Sequence, residues 1–413
     1  MIPRDRVRSL AHRLVEAKSE GERLKAVEEE SRRLLLGFKR EAIEKALSLV
    51  VGRVLGPRWR RRGKRIIPWN CRACGSRWAS QVRRNGHYKR NLVVGEGVIT
   101  LRVPQVECKG CGRSISIAGG LLKPRSRYWI EFDKEVTEFY MNGVSHRKVV
   151  EILARRIQSS LSPMTSWRAL QRVGEKVKKE KEVPPHKVRV VALDEITHRV
   201  RGERRYTLAA QDAERGEWLA MRVSESRKEE AWVDLLDQLW DRAISPDSGV
   251  EWVVCDGDLA IEAAVEIAYP GVKTQRCVWH LLKKAREVLE KRYPGQGNAE
   301  RRSHLMGMIR GIFTTTREME AHARFRALAQ EDASLARYLW PQLKRGLEYL
   351  RSPGRGVPST TSRMERAIRE YRRRTRPMDG FKTHSGAENF NQLWMAKERA
   401  RKDGQDWLWE VMS

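Results

Sequence analysis

The sequence predicts a multidomain α/β protein, and three observations carry that prediction. Two near-identical knuckles, Cys71-Arg72-Ala73-Cys74-Gly75 and Cys108-Lys109-Gly110-Cys111-Gly112, mark a small β module early in the chain. A Pro184-Pro185 pair, which no helix continues, closes a helical stretch. Beyond it, apolar strand-like runs end on the carboxylates Asp194 and Asp256 and alternate with amphipathic helices. A length of 413 residues allows two to three domains at roughly 150 residues each.

Charge narrows the partner. The chain carries 83 Lys and Arg against 53 Asp and Glu, a formal net charge of +30, with 40% hydrophobic residues to build cores. Such a surplus on a foldable chain points to a polyanion, DNA or RNA; a basic housekeeping protein is the plain alternative. No window approaches the ~18 uninterrupted apolar residues of a membrane span, and the opening Met1-Ile2-Pro3-Arg4-Asp5-Arg6 lacks the apolar stretch of a signal peptide. No membrane partner is expected. Four of the six cysteines fall in the knuckles, while Cys255 and Cys277 stand alone. That distribution fits a reducing compartment and a thiolate metal site.

Residues 1–66 read as a helical segment. Leu10, Leu14, Leu24, Val27, Leu34, Leu35 and Phe38 recur at helical spacing, and a second apolar helix follows over roughly 41–55. The run that includes Arg60, Arg61, Arg62 and Arg65 is either a solvated face or a phosphate-gripping segment leading into the cysteines. Residues 67–125 read as a zinc ribbon. Each two-residue gap lets two thiolates converge on one ion, so Cys71, Cys74, Cys108 and Cys111 suit a closed tetrahedral Zn²⁺ site. Redox-active pairs are the competing reading, but no thioredoxin-like βαβ pattern surrounds them. Between the knuckles, a β-hairpin carries Lys89 and Arg90 as candidate DNA contacts.

Residues 126–183 hold helices around Met141-Asn142-Gly143-Val144-Ser145, with Ser145 as a natural N-cap and a further helix starting near Pro163. The pattern suits a helix-turn-helix DNA-binding domain or an ordinary helical hairpin. After the linker, Arg189–Asp194, Tyr206–Gln211 and Trp218–Val223 read as three antiparallel strands, the last two joined by a turn at Ala213-Glu214-Arg215-Gly216. A helix over 226–243, a strand Trp252–Gly257, a helix over 259–268 and a strand near Val272–Gln275 follow. This is the order of a ribonuclease-H-like domain, in which the first and fourth strands are neighbours. Asp194 and Asp256 then sit together at the same end of adjacent strands. Two close carboxylates repel unless cations compensate, and a pair of hard divalent ions, Mg²⁺ or Mn²⁺, does so.

Val191-Ala192-Leu193-Asp194, Val253-Val254-Cys255-Asp256-Gly257 and Gln275-Arg276-Cys277-Val278-Trp279-His280 resemble the Mutator-like DDE transposases, including their bacterial insertion-sequence branch. So do Thr361-Ser362-Arg363-Met364-Glu365-Arg366, Ile368-Arg369 and the arginine-rich stretch up to Phe381. The resemblance spans roughly residues 130–395. It implies a catalytic triad of Asp194, Asp256 and Glu365 holding two Mg²⁺ or Mn²⁺ ions, and an architectural CxxH formed by Cys277 and His280. It implies a ribonuclease-H-like catalytic domain over 184–280 and 356–400, interrupted by a helical insertion over 281–355. It further implies cleavage and strand transfer on double-stranded DNA, both transposon ends and target, by a homodimer on DNA. A cytoplasmic, nucleoid-associated location in a bacterium or archaeon follows.

Arg366, Arg369, Arg372, Arg373 and Arg374 follow the Glu and are candidate phosphate contacts. The sequence departs from the family where Asp258 replaces a common His and Ser362 a common Asn. Asp258 is therefore a spare carboxylate, and Glu388 is a rival third ligand. A non-catalytic, domesticated or regulatory zinc-ribbon and helix-turn-helix DNA binder is the alternative function, and a ribonuclease-H-like nuclease without end recognition is another.

Overall fold

The computed structural model describes residues 4–55, 71, 73–75, 82–116, 122, 126–179, 186–351 and 356–404. The charge run of Arg60, Arg61, Arg62 and Arg65 and most of the expected linker lie outside the described residues. The chain is a mixed helix-and-sheet protein that divides into two compact units. One comprises Met1–Tyr140 and Ser145–Leu170, the other Met141–Val144 and Gln171–Ser413.

The first unit opens on helices α1 (Arg4–Glu16) and α2 (Glu20–Leu55). The expected division of the second stretch near residue 40 does not occur: α2 is continuous. No proline interrupts it, a side chain at Gly37 would meet nothing, and strong helix formers dominate the run. Ile43 and Leu47 of α2 pack with Leu92, Ile99, Leu101 and Val103 of a long antiparallel hairpin, β1 (Val82–Val94) and β2 (Gly97–Cys108). The period-two pleat buries Ile99, Leu101 and Val103 and turns Val98, Thr100 and Arg102 outward. Pro104 cannot donate to a ladder, and it sits where the register shifts between Arg84 and His87. A short β3 (Ser114–Ser116) pairs with β2 to complete three strands.

Helices α3 (Ile130–Met141), α4 (His146–Ile157) and α5 (Pro163–Lys179) follow. Ser145 caps α4 by accepting from the Lys148 amide, and Val149, Val150, Leu153 and Ile157 form its buried face. Pro163 opens α5, where its missing N–H costs nothing.

The second unit is built on five strands: β4 (Val190–Val200), β5 (Glu203–Asp212), β6 (Trp218–Ser224), β7 (Trp252–Cys255) and β8 (Lys273–Arg276). Their order is β6-β5-β4-β7-β8; β4, β5 and β6 run antiparallel, and β7 and β8 join in parallel. The expected adjacency of the first and fourth strands is therefore present. One expectation is corrected, since β4 does not end at Asp194. It continues to Val200, paired with β5, and closes through a tight turn at Arg201 and Gly202 with φ of 53° and 82°. Only its pairing with β7 stops early, at Ala192 and Val254.

Helices α6 (Glu229–Trp240) and α7 (Leu259–Ala268) cover one face of this sheet. Val191, Leu193, Leu208, Val253 and Cys255 meet Trp232, Leu235, Leu236, Ile261 and Val265 there in one apolar core. Next come α8 (Val278–Arg292), α9 (Ala299–Ile312), α10 (Glu318–Glu331), α11 (Ala333–Leu343) and α12 (Glu348–Arg351). These helices share a separate core around Leu289, Leu305, Ile309, Leu328, Leu335 and Leu339.

Helices α13 (Ser362–Thr375) and α14 (His384–Asp403) return to the sheet. A buried chain of hydrogen bonds fastens them: the Tyr371 hydroxyl donates to Asn391 Oδ1 at 2.6 Å, and Asn391 Nδ2 donates to Thr207 Oγ1 at 3.2 Å. Leaving one such group unpaired would cost about 1–3 kcal/mol, so the chain fixes where α13 lies over β5. Among the described residues, no helix is long and apolar enough to cross a membrane.

Candidate active site

The parallel ladder pairs Val190 with Trp252, Val191 with Val253 and Ala192 with Val254. The same offset continued by two residues sets Asp194 level with Asp256. The period-two pleat puts both on the face opposite the α6 and α7 core. Burial, with the negative charges of Glu195 and Asp256, pushes the Asp194 carboxyl up to about 7, while the Glu195 amide and His280 pull the other way. That amide donates to Asp194 Oδ1 at 2.8 Å. Among the described residues, Asp194, Asp256 and Glu365 do not form a group whose ligand atoms all lie within 4.8 Å of one another.

The backbone around Asp256 is tightly specified. Its Oδ1 accepts from the Asp258 amide at 2.8 Å, and Asp258 Oδ1 in turn caps α7 at the Ala260 amide, 3.0 Å away. The spare carboxylate thus serves as a helix cap, with Arg227 3.9 Å from its other oxygen. Gly257 adopts φ 89°, and a Cβ there would meet Arg276 Nε at 1.9 Å. Arg276 Nε donates to the Asp256 carbonyl at 3.1 Å.

Cys277 follows β8 directly, and its amide donates to the Cys255 carbonyl at 2.7 Å, which sets it beside the end of β7. The next amide, Val278, donates to the Ser359 carbonyl at 2.9 Å and so ties the start of α8 to the segment entering α13. Glu365 lies in the first turn of α13. The Thr361 hydroxyl is 3.3 Å from Cys277 Sγ and 3.1 Å from Glu365 Oε1, and His280 Nδ1 is 3.8 Å from the same oxygen. Cys277, His280 and Glu365 therefore converge, their ligand atoms all within 4.8 Å of one another. Burial opposes protonation of His280, but Cys277, Glu365 and Asp194 outweigh it and raise its pKa. Burial likewise works to raise the Cys277 thiol, yet His280 and Thr361 bring it below its ordinary value.

Glu388 is not brought to this group. Its Oε1 accepts from the Val223 amide at 2.6 Å on β6, the edge strand two places from β4. On α13, Met364, Ile368 and Tyr371 are buried, while Arg366, Arg369, Arg372 and Arg373 are exposed and Arg374 is half-buried. Arg373 is paired with Glu370 at 2.5 Å. In the first unit, Lys89 is exposed on β1 and Arg90 is half-buried, donating to the Ser126 carbonyl.

The two knuckles fold alike. The Gly75 amide donates to the Cys71 carbonyl and the Gly112 amide to the Cys108 carbonyl, at 2.8 and 2.7 Å, each glycine at φ 70°. Sγ atoms of Cys71 and Cys111, and of Cys74 and Cys108, are 3.7 Å apart. Thiolates at ~2.3 Å from a tetrahedral ion stand about 3.8 Å from each other, so this cluster can hold a metal ion such as zinc.

The sequence profile of the family described as "Transposase, Mutator family" matches residues 73–395, which contain every one of these groups except Cys71. The chain belongs to the Mutator family of transposases. Relatives include the transposase for insertion sequence element IS406 of Burkholderia multivorans, 27% identical over 307 residues that make up 71% of this chain and 75% of that one. The transposase for ISRM5 of Rhizobium meliloti is 28% identical over 221 residues, 51% of this chain and 52% of the relative. The transposase for IS905 of Lactococcus lactis is 26% identical over 213 residues, 48% of this chain and 50% of the relative. Family membership implies a DNA substrate.

Sequence reasoning missed Thr361 and Arg276. The only available signal for Thr361 was a Thr just ahead of a helical run; the backbone approach that requires Arg276 beside Gly257 leaves no mark at that spacing.

Proposed function

We propose that this Mutator-family protein is a DDE transposase that binds transposon ends and catalyses two-metal-ion DNA cleavage and strand transfer. The observation that carries this reading is the parallel pairing of β4 with β7, whose register, continued two residues beyond Ala192 and Val254, brings Asp194 level with Asp256 just past the end of β7. Glu365 lies in the first turn of α13, and His280, 3.8 Å from its carboxylate, also feels the charge of Asp194. The strand order agrees with a ribonuclease-H-like catalytic domain over 184–280 and 356–400, with 281–355 as a helical insertion.

In this reading Asp194, Asp256 and Glu365 hold the ions. A bound pair of Mg²⁺ or Mn²⁺ would polarise the attacking and leaving oxygens of a phosphodiester. Thr361 and His280 set the Glu365 carboxylate, and Arg276 with Gly257 sets the peptide that carries Asp256. The exposed arginines Arg366, Arg369, Arg372 and Arg373, together with half-buried Arg374, grip phosphates. The zinc ribbon over 67–125, held by a structural Zn²⁺ on its four cysteines, and the helices of 126–183 recognise the ends, and two copies pair them. No side chain acts as a covalent nucleophile.

The test is an incubation of the full chain with Mn²⁺ or Mg²⁺ and a labelled DNA end from the flanks of its gene. Nicked and joined products are expected, and neither should form with Asp194→Ala, Asp256→Ala or Glu365→Ala. Tight binding with no cleavage would reduce the protein to a DNA-binding relative. Cleavage without joining would make it a nuclease.

A further inference from the structure

Beside the carboxylate pair lies a group of different chemistry. Cys277 is fully buried, His280 is half-buried, and Glu365 completes the trio. The Nδ1 atom of His280 is buried, forms no hydrogen bond and lies 3.8 Å from Glu365 Oε1. A buried ring nitrogen without a partner is costly, and a metal ion is one way to satisfy it. A thiolate, an imidazole and a carboxylate form a soft-to-borderline donor set that prefers Zn²⁺ or Cd²⁺ to Mg²⁺.

We propose that Cys277, His280 and Glu365 form a binding site for a thiophilic divalent ion, whose occupancy withdraws Glu365 from the hard-metal cluster and stops DNA cleavage. Three protein ligands with one open position are sufficient for tight zinc binding. Ligand atoms around zinc stand about 3.3–3.6 Å apart, so the present spread of up to 4.8 Å closes by about 1 Å. Glu365 is the mobile member, because Cys277 is fixed by its backbone bond to Cys255 and by the Thr361 amide at 3.4 Å. On binding, the Cys277 thiol releases its proton to solvent and the Thr361 hydroxyl loses its carboxylate partner. The ion site stands on these three residues alone; only its inhibitory consequence rests on the reading of Glu365 as a catalytic ligand.

The experiment counts ions on the full chain. After equilibration with excess Zn²⁺ and gel filtration, elemental analysis is expected to find two tightly held zinc ions per chain. Cys277→Ser and His280→Ala should each hold one, the Cys71→Ser/Cys74→Ser double variant one, and its combination with Cys277→Ser none. Retention of one ion in Cys277→Ser shows that the knuckles still fold in that variant. One ion in the unsubstituted chain, or two in Cys277→Ser, overturns the proposal. In Mn²⁺-supported cleavage, Zn²⁺ should inhibit the unsubstituted chain at least 10-fold more potently than Cys277→Ser, each measured against its own zinc-free rate. Equal potency would overturn the inhibitory half. Absence of cleavage under every condition would count against the reaction and leave the ion count to decide the site.

Discussion

Replacing Asp194 by Asn should make the metal-free protein more stable while destroying its reaction. In the folded chain this carboxyl is pushed from an ordinary 3.8 to about 7. An acid raised in this way holds its proton better folded than unfolded. Its charge therefore does no harm below pH 3.8, destabilises progressively as pH rises to about 7, and exacts the whole cost above that. Roughly three pH units at 1.36 kcal/mol each give an upper limit of about 4 kcal/mol, and solvent screening of a partly exposed carboxylate brings it to about 2–4 kcal/mol. The neutral amide of Asn keeps the shape and drops the charge. Hydrogen exchange on peptides from β4 and β7 reads this opening locally, which suits a chain of two units better than a global midpoint. In divalent-free buffer at pH 8, Asp194→Asn should exchange about 30- to 1,000-fold more slowly over these strands, and the advantage should vanish near pH 4. Adding Mg²⁺ should protect the unsubstituted chain and leave the variant unchanged. An Asn variant that is less protected than its parent at both pH values would refute the electrostatic account.

Gly257→Ala should cost about 2–4 kcal/mol, combining the left-handed backbone with the displaced Arg276 bond, and should slow cleavage while DNA binding stays intact; urea unfolding and gel shifts separate the two effects. Removing zinc from the knuckles of the Cys277→Ser variant with a strong chelator should release one tightly bound ion and increase exchange over 97–116, leaving β4–β8 protected; equal loss in both units would contradict an independent metal cluster. Arg366→Ala with Arg369→Ala should lower DNA affinity across all sequences and reduce the salt slope by about two; an unchanged slope would mean those side chains are only solvated.

Much of the second unit is legible in the sequence because its apolar runs are short and end at turn chemistry. Val190–Leu193 and Trp252–Cys255 read as short buried strands bounded by turn residues, and their spacing through α6 permits the parallel pairing of Val190, Val191 and Ala192 with Trp252, Val253 and Val254. The far half of β4 was harder to see, since Thr197, His198 and Arg199 look like a polar loop until the turn at Arg201 and Gly202 is recognised. The continuity of α2 was hidden for a related reason: Gly37 and the polar Lys39-Arg40-Glu41 suggest a break, yet nothing in the fold requires one. Glu365 and Glu388 are equally plausible ligands in one dimension. Their different surroundings are tertiary, the Thr361 hydroxyl beside Glu365 and the Val223 amide that engages Glu388, and such contacts have no sequence period.

The bond between Val278 and Ser359 has an evolutionary meaning beyond its role in placing Glu365. It pinches the two ends of the long helical segment together at the sheet's edge, where Gln275 of β8 also bonds the Gly346 carbonyl and the Tyr349 amide, so the segment is held at a neck along that edge. Closure entropy grows only slowly with the length of a loop, by about 0.6 kcal/mol for each doubling. Insertions, deletions or a grafted foreign domain in the exposed α8–α9 connection, around residues 294–297, would therefore strain the neck little. The protein can diversify what this appendage touches while the residues at its base stay in register.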